Sequence, residues 1–252
     1  MKLAIMQPYF FPYIGYFQLI KAVDKTILYE NVNFKIENWM TRNRIQIKNE
    51  QPLYISIPVR SRSSNKKIAE IEIAEHEKWK RRLKRSLQFN YGKSEYFSEV
   101  FPQLEKIIDT KKTHLHSYNG ETIRLITELL EIGTKIEYNN QHYLELEKKL
   151  NQKYQDTLID ESLKKSKRKT ERIISISKQE QANIYINAYG GTALYDKNEF
   201  AAHGIELFFL KTKDHNYKQF SNNFYPNLSI LDVLLNCGIE NTQKLLTNYE
   251  LI

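Results

Sequence analysis

The chain has 252 residues, of which 41% are hydrophobic, and a formal net charge of +8. That length and apolar content suit one large α/β domain with a sizeable core and exclude disorder of the whole chain. The lone cysteine, Cys237, excludes an internal disulfide framework and a cysteine-rich zinc site. No apolar stretch approaches the roughly 18 residues of a membrane-spanning helix, so we expect a cytoplasmic protein without a signal peptide.

The N-terminal part of the chain predicts strand, loop, helix and strand in succession. Residues 2–6 read as a short buried strand, and residues 7–12 form an aromatic loop held by two prolines. Residues 13–23 carry an apolar helical pattern, and residues 26–29 look like a second strand. This succession is typical of a parallel α/β sheet, whose ligands bind at the carboxyl ends of the strands.

The rest of the chain predicts a hairpin, a helical stretch and further strands. Residues 44–48 and 53–57 alternate as hairpin strands do. We interpret approximately residues 75–133 as a helical insertion within a single domain of residues 1–252. Within it, helices are predicted over residues 75–91, 101–108 and 121–132. The C-terminal predictions are strands at 134–138, 183–189 and 204–210, a helix at 169–178, and two short helices at 229–236 and 240–248 around Gly238.

Four stretches resemble a known family, the WbqC-like proteins. They are residues 4–17, which read AIMQPYFFPYIGYF, residues 34–44, residues 169–174 and residues 217–238. The resemblance implies a role in O-antigen (lipopolysaccharide) and related surface-polysaccharide biosynthesis. It is also compatible with attachment of glycine or another acyl group to an amino sugar. This chain departs from the family pattern at Tyr29-Glu30, where one of two acids is kept, and at residues 187–189, before Gly190.

The first loop also resembles a nucleotide-binding motif. Tyr13-Ile14-Gly15-Tyr16 is similar to the His-x-Gly-His of nucleotidylyltransferases and class I synthetases, with tyrosines in place of both histidines. A tyrosine hydroxyl can donate to a phosphate but cannot carry a positive charge. Gly15 would either let a nucleotide approach the backbone or merely permit tight helix packing. We therefore predict a mainly parallel sheet of HUP/nucleotidylyltransferase-like type, with Gln7, Tyr13 and Tyr16 at the site.

Two basic segments predict anion binding. Arg42 and Asn43 follow Trp39, and Lys35 lies nearby, so Arg42 is expected to clamp a phosphate or carboxylate with its planar guanidinium. The second segment is expected to be a basic loop just before a helix, with Lys169 facing phosphates, Thr170 as the helix cap and Arg172 in the first turn. A solvated basic face is the alternative for residues 164–167.

Catalytic candidates come from the C-terminal half. His215 lies in a polar loop as a general base or, alternatively, as a surface residue, and Asp232 is either a proton acceptor or an acid that stabilises a helix N-terminus. Main-chain amides of Gly190 and Gly191 could hold an oxyanion. No metal site is predicted, and Cys237 is expected to be an inert buried thiol. We expect one shared pocket for Gln7, Tyr13, Tyr16, Arg42, Asn43, Arg172, Tyr217 and Gln219.

Three functions remain open at this point. The first is a transferase that moves an acyl or aminoacyl group to a nucleotide-linked or lipid-linked amino sugar. The second is a nucleotidylyl-transferring or adenylate-forming enzyme, and the third is a non-catalytic sugar-nucleotide-binding protein. The sequence establishes no cofactor; ATP with magnesium and an acyl donor are the two candidates. Nucleic acid is not an expected partner, because no nucleic-acid-binding motif accompanies the basic runs.

Overall fold

The computed structural model describes residues 1–36, 38–47, 51–74, 76–155, 157–213, 216–220 and 223–252. Its strands are β1 (Lys2–Met6), β2 (Lys25–Leu28), β3 (Arg42–Ile45), β4 (Leu53–Ser56), β5 (Lys135–Glu137), β6 (Ile184–Ala188), β7 (Glu206–Thr212) and β8 (Tyr249–Leu251). Six of them form one sheet in the order β5-β2-β1-β6-β7-β8. All neighbours are parallel except β8, which pairs antiparallel with β7. The predicted α/β class with a mainly parallel sheet is confirmed, and β3 and β4 form the predicted antiparallel hairpin.

Helices cover both faces of the sheet. They are α1 (Ile14–Lys21), α2 (His76–Tyr91), α3 (Phe97–Ile108), α4 (Leu115–Leu129), α5 (Leu144–Gln155), α6 (Glu161–Gln179), α7 (Lys197–Ala201) and α8 (Ile230–Leu245). Along β1, Leu3 and Ile5 face one side and pack with Ile173 of α6 and Phe200 of α7. Ala4 faces the other side and packs with α1. The period-two alternation of β1 thus divides the core between two helical layers.

Helices α2, α3 and α4 share one apolar cluster with α1 and α8. The cluster contains Trp79 of α2, Leu104 of α3 and Ile123 of α4, together with Phe17 of α1 and Leu234 of α8. The three helices lie in the chain between the β3–β4 hairpin and β5, and they cover the face of the sheet that carries α1. Their interpretation as an insertion within a single domain stays a prediction.

The sheet has a switch point at β1. The chain leaves β1 through α1 and returns as β2 on one side, whereas β6 and β7 lie on the other side. In open α/β sheets the loops at the carboxyl ends of the two central strands diverge at such a point and leave a crevice. The loop after β1 and the segment after β6 therefore flank the expected ligand position. The finer HUP/nucleotidylyltransferase-like interpretation stays a prediction.

Several element boundaries differ from the sequence predictions. Helix α6 begins at Glu161, because the Asp160 carboxylate accepts the amides of Ser162 and Leu163. The prediction of a basic loop before residue 169 is therefore wrong: Lys165 and Lys169 lie on the helix. Thr170 is not the cap but a mid-helix residue whose hydroxyl faces the Ser166 carbonyl at 3.5 Å. Helices α5 and α7 and strand β8 are not among the elements that the sequence predicts.

Among the described residues, no helix is both long and apolar enough to cross a membrane.

Candidate functional site

The aromatic loop after β1 is held in place by buried polar side chains. Asn43 Nδ2 donates to the carbonyls of Phe10 (3.0 Å) and Phe11 (2.7 Å). Ser229 Oγ donates to the Phe11 carbonyl at 2.8 Å, and Asn119 Nδ2 donates to the Pro8 carbonyl at 2.9 Å. Phe11 has a positive φ of 41°, which is rare outside glycine, so these donors fix a conformation that the chain would otherwise avoid.

Gly15 and Tyr16 support this loop from the start of α1. The Tyr16 hydroxyl is buried and donates to the Gln7 carbonyl at 2.8 Å. A Cβ on Gly15 would collide with the Tyr13 ring and would lie 2.7 Å from Thr212 Oγ1. The space around Gly15 is therefore filled by its own neighbours, which favours the packing interpretation of this glycine over close approach of a nucleotide.

A cavity of about 290 Å³ opens beside the loop. Its lining combines aromatic rings with polar groups from three separate parts of the chain: Tyr9, Pro12, Tyr13, Trp39, Asn43, Arg44 and Asn227. Burial raises the pKa of Tyr9 and of Tyr13, so both hydroxyls are neutral donors near pH 7. The volume is close to the lower end for small-molecule sites, and the mixture of rings and donors suits a polar ligand.

Arg44 is the charged group of the cavity. Its guanidinium carbon lies 5.9 Å from the centre of the Trp39 ring, within the range at which guanidinium groups interact favourably with aromatic rings. Its Nε is buried and has no hydrogen-bond partner among the described residues. Within the described part of the chain, Nη2 reaches only the Pro226 carbonyl, at 3.5 Å. A buried donor of a permanently charged group costs free energy unless an acceptor binds to it, so Arg44 is suited to an anionic ligand.

Arg42 lies two residues earlier on the same strand, outside the lining of the cavity. Its guanidinium carbon lies 5.3 Å from the centre of the Tyr54 ring, across the β3–β4 hairpin. Exposure alternates along β3, so that Arg42 and Arg44 share the half-exposed face while Asn43 is buried. The predicted clamp role of Arg42 stays a prediction, and Arg44, which the sequence reasoning does not select, lines the cavity.

Three lysines form a second positively charged group, the lysine cluster, defined as Lys35, Lys165 and Lys169. Burial lowers the pKa of Lys169, and repulsion from Lys35 and Lys165 lowers it further. Within the described residues, none of the three lysines forms an ion pair with an acidic side chain. The neighbouring Lys164 does, with Glu161 at 2.8 Å. Lys35 belongs to the same connection as Trp39, so the cluster and the cavity are joined by one short segment of chain.

Arg172 is engaged within the fold. Its Nε and Nη2 both donate to the Glu147 carboxylate, the latter at 2.9 Å, and the Tyr29 hydroxyl donates to the same carboxylate at 2.6 Å. All three side chains are buried. The bidentate pair ties α6 to α5 and to the end of β2, so Arg172 has little capacity left for a phosphate.

Asp232 is likewise an internal acceptor. It is fully buried in the first turn of α8 and accepts hydrogen bonds from the hydroxyls of Tyr91 and Tyr217 and from the backbone N–H of Gln46. Burial raises the pKa of this carboxyl. The structure thus places Asp232 at the junction of the hairpin, α2 and α8 with no surface for a substrate, which agrees with the structural alternative for this residue.

The other predicted residues lie around these groups. Gln219 closes its own loop by exchanging two hydrogen bonds with the backbone of Tyr225, at 3.0 and 2.9 Å. Gly190 and Gly191 lie in a single 3-10 turn directly after β6, on the far side of the switch point from the aromatic loop. Gly190 is exposed, whereas a Cβ on Gly191 would meet Asn187 Nδ2 at 2.9 Å. His215 lies outside the described residues.

Only some of the residues that the sequence predicts for one shared pocket line this cavity. Tyr13 and Asn43 line the cavity, as does Trp39, and Tyr16 contacts the backbone of Gln7 beneath the loop. Arg172 and Gln219 take part in other contacts. Four lining residues are not predicted from the sequence. The two-residue spacing of Arg42 and Arg44 is the available signal that both share one face of the strand. The missed residues are Tyr9, Pro12, Arg44 and Asn227.

Two further features are candidates for ligands. Glu137, His142 and Glu180 have a spacing that suits a metal ion, but the Lys25 ammonium lies 2.7 Å from Glu137 and also pairs with Glu180. That ammonium supplies the positive charge which a metal ion would bring.

A shallow groove of about 830 Å³ lies between the end of α5 and the start of α6, next to the lysine cluster. It is lined by Asn151, Tyr154, Gln155, Glu161, Ser162, Lys164, Lys165 and Arg168.

Comparison with known proteins places the chain in a family. The model of the WbqC-like protein family matches residues 7–244, which include the aromatic loop, the hairpin and α8. This chain belongs to the WbqC-like protein family. It is also 30% identical, over 243 residues and 95% of each chain, to the uncharacterized protein Rv1507c of Mycobacterium tuberculosis. No solved structure matches the chain with statistical significance. The region that the family shares therefore spans nearly the whole α/β fold described above.

Proposed function

We propose that this WbqC-like protein binds a phosphate-bearing sugar, linked to a nucleotide or a lipid, at the carboxyl edge of its sheet. Arg44 is the observation that carries the proposal. Its guanidinium lies against Trp39 in a preformed cavity, and its buried Nε lacks an acceptor among the described residues. A phosphate oxygen would supply that acceptor, and the rings of Tyr9, Tyr13 and Trp39 offer flat surfaces for a sugar or a base.

The lysine cluster extends the proposal to a ligand with more than one phosphate. Lys35 follows β2 and joins the segment that ends at Trp39, whereas Lys165 and Lys169 lie on α6. An anion bound among them would relieve their mutual repulsion, which is the physical reason to expect one there. The segment from Lys35 to Trp39 connects this second group of cations to the cavity, so the proposed ligand carries two phosphates.

The proposed reaction is transfer of a small acyl or aminoacyl group, such as glycyl, to an amino sugar in surface-polysaccharide assembly. The amine nitrogen would attack the acyl carbon, the bond between the acyl carbon and its carrier would break, and the amine proton would pass to a base. His215 is the predicted base, because Asp232 has no exposed surface. The amides of Gly190 and Gly191, at the end of β6, would stabilise the oxyanion.

A sugar-nucleotide-binding protein without catalytic activity is the second candidate. The cavity lining within the described residues has hydroxyls, amides and a guanidinium but no carboxylate or imidazole. Such a lining binds a ligand without moving a proton. The nucleotidylyl-transferring alternative rests on the resemblance of the loop at residues 7–16 and on the basic segment at residues 165–172. The space around Gly15 in that loop is filled by Tyr13 and Thr212.

A thermal-shift screen tests the proposal. The probes are UDP-N-acetylglucosamine, UDP, uridine, ATP with magnesium, and acetyl-CoA. A ligand present at about one hundred times its Kd stabilises the native state by about 2.7 kcal/mol, which should raise Tm by several degrees for a chain of this length. We expect UDP-N-acetylglucosamine and UDP to raise Tm and uridine to have little effect. An equal effect of uridine and UDP would contradict a phosphate site.

A further inference from the structure

Helix α2 presents a basic face to solvent, with an exposed aromatic ring near its C-terminal end. Arg82, Arg85 and Phe89 follow one another at intervals of three and four residues, so they lie along one stripe of the helix, and Arg81 flanks it. Phe89 is 88% exposed. We call these four residues the α2 face. An isolated exposed phenylalanine is ordinary on a protein surface. Here the exposed ring shares one helix face with three arginines, so the face offers an apolar group and positive charge together.

The orientation of the α2 face is fixed by the opposite side of the helix. Trp79, Leu83, Leu87 and Tyr91 are buried in the large apolar cluster, and Tyr91 also donates to Asp232. The helix cannot roll to bury Phe89 without removing these side chains from the core. The exposed ring is therefore a stable feature of the folded protein.

The charges of the α2 face are not neutralised within the described part of the chain. Arg81, Arg82 and Arg85 take part in none of the ion pairs found there, whereas Lys84, on the flank of the same helix, lies 2.9 Å from Asp109. Lys93, four residues beyond Phe89, is exposed and adds a positive charge at the same end of the helix. Clusters of basic side chains on a helix surface are typical of sites that contact anionic lipid headgroups.

We infer that the α2 face docks the protein on an anionic lipid bilayer. The arginines would contact lipid phosphates, and the Phe89 ring would enter the boundary between headgroups and acyl chains. Because the ring projects from the helix, a folded protein partner would need a matching pocket for Phe89, whereas a fluid bilayer admits the ring without one. This inference does not depend on the proposed ligand at Arg44; it concerns a different surface and stands if that ligand is never found.

Vesicle co-sedimentation of the full chain tests the inference. The probes are vesicles of phosphatidylcholine alone and vesicles with about one third phosphatidylglycerol. We expect binding to the anionic vesicles at low salt and at least about tenfold weaker binding to neutral ones. Arg82→Glu/Arg85→Glu should reduce the partition coefficient at least about tenfold, and Phe89→Ala about threefold or more.

Lys148→Glu/Lys149→Glu is the matched control, because it makes the same change in charge at exposed positions of α5, on the other side of the sheet. It should retain most of the binding. Phe89→Trp gives a second readout, since an indole ring that enters the bilayer shifts its fluorescence to shorter wavelength. Failure of the wild type to bind anionic vesicles, an equal loss in the α5 control, or an unshifted emission spectrum of the bound Phe89→Trp variant would overturn the inference.

Discussion

His116 shows how a single buried side chain sets the response of the fold to acid. It lies in the first turn of α4, and burial, with a smaller contribution from His114, lowers the pKa of His116 to about 4. The unfolded chain has a histidine pKa near 6.5, so the unfolded state takes up the proton first as pH falls. The associated stability is present above pH 6.5 and is lost as pH falls towards 4.

We predict that the free energy of unfolding falls by about 1–3 kcal/mol from this residue between about pH 7 and pH 4. Urea denaturation at the two pH values measures the difference, and His116→Gln should lose that part of it. His114→Gln, at the N-cap of the same helix, is the matched control and should keep most of it. An unchanged pH dependence in His116→Gln would show that the imidazole is not held neutral by the fold.

Asn43 is the side chain that most directly fixes the aromatic loop. Asn43→Ala leaves the carbonyls of Phe10 and Phe11 without this donor, in a buried place. We expect a loss of about 2 kcal/mol in unfolding free energy, measured by urea denaturation. Asn90→Ala is the control, since the Asn90 amide donates to Ser86 on its own helix, and it should change stability by less than about 0.5 kcal/mol. Equal losses in both would contradict a special role for Asn43.

Individual site residues can be predicted only where sequence spacing determines which way they face. The aromatic loop is recognisable from its prolines and its place after a strand, and Tyr13, Trp39 and Asn43 do line the cavity. The choice between Arg42 and Arg44 depends on which ring each guanidinium meets, Tyr54 or Trp39. The Trp39 ring lies outside the β3–β4 hairpin, so the register of the strands does not determine that choice. Composition does not show that Asp232 is wholly buried, because its donors come from distant segments.

At the scale of elements, two ion pairs that join α5 to α6 differ sharply in environment. Arg172 and Glu147 are both buried and form a bidentate pair, whereas Lys153 and Glu171 form a more exposed one at 2.7 Å. Arg172→Met should destabilise the fold by about 3–5 kcal/mol, because it leaves the Glu147 carboxylate buried without its cation. Lys153→Met should cost less than about 1 kcal/mol.

Chemical denaturation of both variants measures this contrast. A double variant, Arg172→Met/Glu147→Leu, should recover much of the loss, because it removes both charges together. If Arg172→Met were as mild as Lys153→Met, the buried pair would not join the two helices as described, and Arg172 would be available for a ligand after all.

Elements with a clear apolar pattern and with recognisable residues at their ends can be predicted from the sequence, whereas elements rich in charged residues cannot. Strands β1, β2, β6 and β7 lie close to their predicted bounds because they are short apolar runs. Helix α6 begins eight residues before its predicted start at residue 169: its first two turns are mostly lysine and serine, which give no apolar pattern, and the prediction overlooks the cap at Asp160. Strand β8 forms by pairing with β7, which lies far away in the sequence, so the residues of β8 alone do not predict it.

The whole molecule is organised around the switch point of the sheet. Strand order cannot be read from hydropathy, because it depends on how each crossover packs; the class of fold is therefore predictable, but the position of β6 beside β1 is not. That position brings the segment after β6 to the same edge as the aromatic loop. The cavity beside Arg44 and the lysine cluster both involve segments that leave this edge, which is why the proposed ligand is placed there.

Isothermal titration with UDP-N-acetylglucosamine, or with UDP if the screen favours it, tests the central claim most directly. Arg44→Lys keeps the charge but loses the planar fork, so its affinity should fall by about 1–2 kcal/mol, roughly five- to thirtyfold. Arg62→Lys, an exposed arginine in the loop after β4, is the matched control and should bind as the wild type does. Equal affinity of Arg44→Lys and wild type, or an equal loss in Arg62→Lys, would contradict the assignment of Arg44 as the phosphate-binding group.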